Sequence, residues 1–226
     1  MSAFLHATWS LLQKELRVEL RTGEIVVTTA LFATLVAVLA SLAFYVDRNS
    51  SLAVAPGVLW IAVTFAGVLA MGRSLNRERE HEVFRALLLS PAPRAAIYAS
   101  KVLSSLAFLL VVEVILVLEV AVLFNLDLGA VLAPLCALLV LGTLGFTLTG
   151  NLFAAFTVRT SARDMMLSVI VLPVVAPALL SGVVATRELL GGAPLSEIYG
   201  WMQLLGAFDL ALGAAGIVLF EPLLLD

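Results

Sequence analysis

The chain has 226 residues, of which 62% are hydrophobic and only 13% charged. A water-facing surface needs roughly twice that share of charge, so an ordinary soluble domain is excluded and a polytopic membrane protein is indicated. The formal net charge of -3 says little about partners, because in such proteins the placement of Lys and Arg matters more than their sum.

The segment from Phe4 to Arg21 is amphipathic. Leu5, Trp9, Leu12, Leu16 and Leu20 recur at spacings of three and four, with Gln13, Lys14, Arg17 and Arg21 on the other side, the pattern of a helix lying in the membrane interface. Thr22-Gly23-Glu24 breaks it, and Ile25 to Tyr45 is the first stretch long enough to cross about 30 Å of hydrocarbon. Ala53-Val54-Ala55 has the look of a signal cleavage site, but the apolar run before it is too long for a signal core, so it reads as an uncleaved span. A polar turn at Asp47 to Ser51 leads to Ala55-Pro56-Gly57, which opens a second span ending near Gly72, with Trp60 expected as an interfacial anchor near its outer end.

Residues 73–101 form a charged hairpin holding six of the thirteen basic residues and three of the sixteen acids. Its centre alternates in sign through Arg77, Glu78, Arg79 and Glu80, which suits a protein-docking surface better than a sink for anionic lipid. Glu82 and Arg85 extend the pattern, Phe84, Leu87 and Leu88 offer an apolar anchor, and Pro91 and Pro93 are expected to close a short helix. The plainer reading is a solvated loop whose charges only set topology.

Val102 to Phe124 is the third span and Ala130 to Val158 the fourth. Gly142, Gly145 and Gly150, interleaved with Thr143, Thr147 and Thr149, give the fourth a small-residue face for close helix approach. Met165 to Thr186 is a fifth span in which Pro173 and Pro177 predict a kink, Arg187 to Gly200 reads as a polar loop, and Ile198 to Phe220 is the sixth span. Eleven of the thirteen basic residues then fall on one side, against Arg48 and Arg187 on the other, so the positive-inside rule places both termini in the cytoplasm.

Three carboxylates, Glu113, Glu119 and Asp209, lie inside spans. A charge at mid-bilayer costs roughly 2.5 to 3.5 kcal/mol, so each is expected to face the bundle interior, be protonated, or be paired. Glu113, 12 residues beyond Lys101, sits about 18 Å deep. These groups read either as a polar lining for a passage or proton, or as neutral carboxyls bonded to neighbouring helices.

Other chemistry is missing from the sequence. Neither Lys14 nor Lys101 follows a glycine, so there is no phosphate-binding loop, and any ATP-driven work is left to a partner. His6 and His81 both fall on the cytoplasmic side, leaving no histidine in or outside the membrane to ligate haem iron or a metal. Cys136, alone in an apolar run, reads as a packing residue. No acid/base or nucleophile set is placed for catalysis, so the chain does not read as an enzyme.

Several stretches together resemble one family. They are Lys14-Glu-Leu-Arg-Val-Glu-Leu-Arg21, Ala55-Pro-Gly-Val-Leu-Trp60, Arg77 to Glu80 with Leu87 to Pro91, Lys101, Leu141-Gly-Thr-Leu-Gly145 with Gly150-Asn-Leu-Phe153, and Leu172-Pro173 with Pro177. In this order and spacing they are similar to the B-subunit permeases of the cytochrome c maturation haem exporter, an ATP-binding-cassette system. The resemblance implies an all-α membrane protein of the ABC-2, or type V, exporter kind: six transmembrane helices after an N-terminal interfacial helix, in one permease domain over 1–226, with 1–23 as that helix and 73–101 as the coupling hairpin. It also implies a place in the bacterial inner membrane, with a cytoplasmic ATPase subunit, a second copy of the chain, a haem-handling membrane subunit and a periplasmic haem chaperone as partners, besides membrane lipids and no nucleic acid. Haem would be a possible cargo rather than a cofactor bound by this chain, and ATP, used by the partner, would drive either haem export or the release of the loaded haem chaperone. The rival readings are an exporter of lipid, polysaccharide or drug, and a non-transporting scaffold of the maturation complex.

Overall fold

The computed structural model describes residues 2–44, 48–80, 92–129, 131–157 and 163–225. Among them the chain is all helix, in seven segments: α1 Ser2–Thr22, α2 Glu24–Phe44, α3 Arg48–Glu80, α4 Arg94–Leu123, α5 Leu132–Thr157, α6 Arg163–Leu190 and α7 Leu195–Leu225. Six of these, α2 to α7, are long and apolar enough to cross a membrane. The protein is therefore an all-α membrane protein, and the six expected spans fall on those six helices.

Helix α5 is the middle of the bundle and packs on α3, α4, α6 and α7, whereas α2 packs on α3 and α4 at one edge. The reason is side-chain size. Where α5 is small, a neighbour is large: Trp60 of α3 fills the space over Gly142, Met71 of α3 that over Gly150, and a methyl group at either glycine would collide with them. Gly182 of α6 receives the same indole of Trp60, and Gly216 of α7 receives Tyr98, whose hydroxyl donates to the Leu148 carbonyl at 2.9 Å. The glycine face expected on the fourth span is thus used as sockets for large side chains as well as for helix approach.

Two expectations are corrected by this packing. Trp60 is not an interfacial anchor: it is 1% exposed and its Nε1 donates to Thr186 Oγ1 at 2.9 Å, because α3 begins at Arg48 and carries Trp60 a full two turns or more into the helix. The polar loop expected over residues 187–200 is much shorter, since α6 runs on to Leu190 and α7 begins at Leu195. Trp201 Nε1 donates to Glu188 Oε2 at 2.9 Å and braces that tight turn, with Gly192 at φ 84°. Helix α6 runs unbroken through Pro173 and Pro177.

Helix α1 has three faces. Thr8, Leu12, Glu15 and Glu19 are buried, Leu5, Trp9 and Leu20 are exposed apolar residues, and Gln13, Lys14, Arg17 and Arg21 are exposed polar ones. It packs chiefly against α4 and lightly against α2, from which Gly23 separates it with φ 61°. Two acids on a buried face need partners, and they define the site.

Candidate functional site: a charged clamp between three helices

The two carboxylates of α1 stand one turn apart, four residues in sequence, so they share a face. Arg77 of α3 forks between them: Nη2 lies 3.1 Å from Glu15 Oε2 and Nη1 2.9 Å from Glu19 Oε2.

 

Lys101 of α4 reaches the same Glu15 from the opposite side, its Nζ 2.9 Å from Oε1, and Lys14 lies 3.4 Å from that oxygen at the rim. Glu19 uses its remaining oxygen, Oε1, to accept the backbone N–H groups of Ile25 at 2.8 Å and Val26 at 2.9 Å. These are first-turn donors of α2 that have no partner within their own helix, so Glu19 caps the first span from one helix away. Arg73 and Glu24, 3.3 Å apart and well exposed, add an outer pair of little energetic weight.

The inner members are shielded from solvent: the side chains of Arg77, Glu15, Glu19 and Lys101 are 13%, 9%, 5% and 8% exposed. Burial by itself raises the Glu15 carboxyl, but Lys101, Lys14 and Arg77 outweigh it and hold the group below its ordinary value of 4.5. All four carboxylate oxygens of the pair are bonded, so the clamp is a fully hydrogen-bonded cluster.

Of the residues expected on the docking hairpin, Arg77 turns its guanidinium inward onto α1, where it is committed within the chain. Glu78, Arg79 and Glu80 form the end of α3, and Glu82, Phe84, Arg85 and Leu88 lie outside the described residues. The three carboxyls in the spans do not converge on one point. Glu113 of α4 accepts the hydroxyl of Thr143 on α5, and Asp209 of α7 presses on α5 at Gly145, two residues further along. Glu119 faces the other way and accepts from Thr34 of α2 at 2.7 Å. Among the described residues no group of three His, Cys, Asp or Glu side chains is placed to hold a metal ion.

The sequence reading passed over Glu15 and Glu19. Their signal was present: two acids four apart, continuing the buried row of Thr8 and Leu12 and flanked on one side only by lysine and arginine.

Six apolar helices, with a preceding amphipathic helix joined to three of them by a buried ion cluster, define a polytopic membrane protein. The family model of the CcmB protein matches residues 6–220, and the chain belongs to that family. Among its relatives are three proteins named heme exporter protein B. That of Paracoccus denitrificans is 30% identical over 81% of this chain and 84% of its own length. That of Pseudomonas aeruginosa is 28% identical over 89% and 90%, and that of Bradyrhizobium diazoefficiens 28% identical over 83% of each.

Proposed function

We propose that this chain is the membrane-spanning subunit of a haem exporter in cytochrome c biogenesis, driven by a separate ATPase subunit. The observation that carries this reading is the family match over residues 6–220, joined by relatives named for haem export that align along most of their own length. The six spans suit a permease, and the sequence holds no phosphate-binding loop, so ATP is bound by the partner. That ATPase docks on residues 73–101, with Glu78 to Leu88 as its contact surface, and a second copy, a haem-handling membrane subunit and a periplasmic chaperone complete the assembly. Haem is the cargo. The eleven-to-two split of basic residues supports an orientation with both termini and the hairpin in the cytoplasm.

Disrupting the gene in its host tests the reading: covalent c-type cytochromes should disappear from haem-stained gels while b-type spectra persist. A lipid or drug exporter gives the opposite result, intact c-type cytochromes with altered lipid or drug handling, and that outcome overturns the proposal. Replacing Phe84 and Leu88 with Asp should release the ATPase in co-purification while the spans still insert. Cysteines at Ser50, Asp127 and Gly192 should label from outside intact cells, and those at Ser90 and Ser161 only after permeabilisation.

A further inference from the structure

We propose that Glu15 is a positioning residue of the transport cycle, tying both legs of the 81–91 connection to α1 so that a movement of the legs carries α1 with it. The inference deepens the reading that an ATPase docks on this hairpin, and it rests on that reading for its role in transport. Arg77 stands on the leg that enters the connection and Lys101 on the leg that leaves it. They meet at one carboxylate, one oxygen each: Arg77 Nη2 at 3.1 Å from Oε2 and Lys101 Nζ at 2.9 Å from Oε1.

The contact is short-ranged and buried, so a leg that moves either takes the carboxylate along or pulls apart a close ion pair inside the protein, which is unfavourable. A buried ion cluster is in general a weak source of stability, because apolar side chains of the same volume serve as well; what it supplies is a fixed geometry. The tie does not end at α1. Arg77 also holds Glu19, whose second oxygen caps the first turn of α2, so the first span is joined to the same cluster.

A carboxamide tests this directly, since it offers one acceptor oxygen where the carboxylate offers two, and so can hold one leg but not both. Spin labels at Gln13 and Asn76, and separately at Gln13 and Leu103, in the full chain in lipid nanodiscs should give narrow distance distributions that E15Q broadens in at least one pair. In cells, E15Q should reach wild-type membrane levels and co-purify with the ATPase while covalent c-type cytochromes fall about tenfold, a loss of the size seen for coupling residues. Should E15Q fail to accumulate, the exchange E15K with K101E keeps an ion pair between α1 and the exit leg and should restore accumulation and part of the activity. Unchanged distances in both label pairs, or normal c-type cytochromes in E15Q, would overturn the proposal. A wild-type chain that neither binds an ATPase nor supports c-type cytochromes would instead sink the functional reading, and the label distances would still decide whether the clamp holds both legs.

Discussion

The clamp and the middle of the bundle both bury carboxyl groups, and they treat them in opposite ways. In the clamp, Glu15 and Glu19 find partners for all four oxygens, drawn from α2, α3 and α4. In the spans, Glu113 and Glu119 each bond one threonine and leave Oε2 without a partner, and neither oxygen of Asp209 has one among the described residues. The difference follows from depth. Arginine and lysine are tolerated where their stems can reach the edge of the hydrocarbon, so an ionised carboxylate can be neutralised there; deeper, neighbouring hydroxyls are the affordable partners. Charge at the clamp fixes geometry, whereas a carboxyl at mid-bilayer is accommodated.

The largest effect should come from breaking the clamp. Arg77→Ala strands two buried carboxylate oxygens and should destabilise the chain by about 3 kcal/mol, read as loss of monodisperse protein on heating in detergent. An unchanged melting profile would mean that the two carboxylates take up protons or water at little cost.

A smaller loss, about 2 kcal/mol, is expected from Gly145→Ala, whose methyl group would stand 2.6 Å from Asp209 Oδ1 and force α7 away from α5. If Asp209 were held by its charge, removing the carboxyl would hurt more than crowding it. We expect the reverse order, with Asp209→Asn milder than Gly145→Ala in the same melting assay.

Much of this architecture was legible beforehand. The six spans follow from length and hydropathy alone, because a bilayer leaves a long apolar run few alternatives to a helix. What could not be read was which distant side chains meet. Trp60 looks like an interfacial anchor until Gly142 and Gly182, each more than 80 positions away in sequence, open a socket for it. Glu15 and Glu19 look like members of a polar helix until Arg77 and Lys101 arrive from two other helices. The loop at 187–200 looked long because Arg187 and Glu188 are charged, yet both belong to α6, and Glu188 accepts from Trp201.

Acid should loosen the clamp gradually. The folded carboxyl of Glu15 lies below its ordinary 4.5, so the unfolded chain takes up its proton first as pH falls. Its contribution is therefore complete above that ordinary value and is lost as pH drops through the lowered folded one. Melting profiles at pH 7 and pH 5 should differ little in this contribution, and a decline should set in only below the ordinary carboxylate range. E15Q should flatten that decline; an equal decline in E15Q would assign the acid sensitivity to other groups.

The smallest effect is expected where sequence reasoning placed the most expensive residues. Glu113 accepts a hydroxyl from Thr143 and Asp209 sits over Gly145 with no hydrogen bond among the described residues, so neither holds a partner there that a neutral amide could not hold. Polar contacts between membrane helices are worth only about 0.6 kcal/mol on average, and Glu113→Gln keeps an acceptor oxygen for Thr143. The double variant E113Q with D209N should then melt within about 1 kcal/mol of the parent, in contrast to the loss expected for Arg77→Ala. Maturation of c-type cytochromes by this variant separates the two roles left to these carboxyls. Normal maturation makes them hydrogen-bonding groups of the bundle, while lost maturation in a stable, fully assembled complex requires that at least one of them exchange a proton or carry charge during transport.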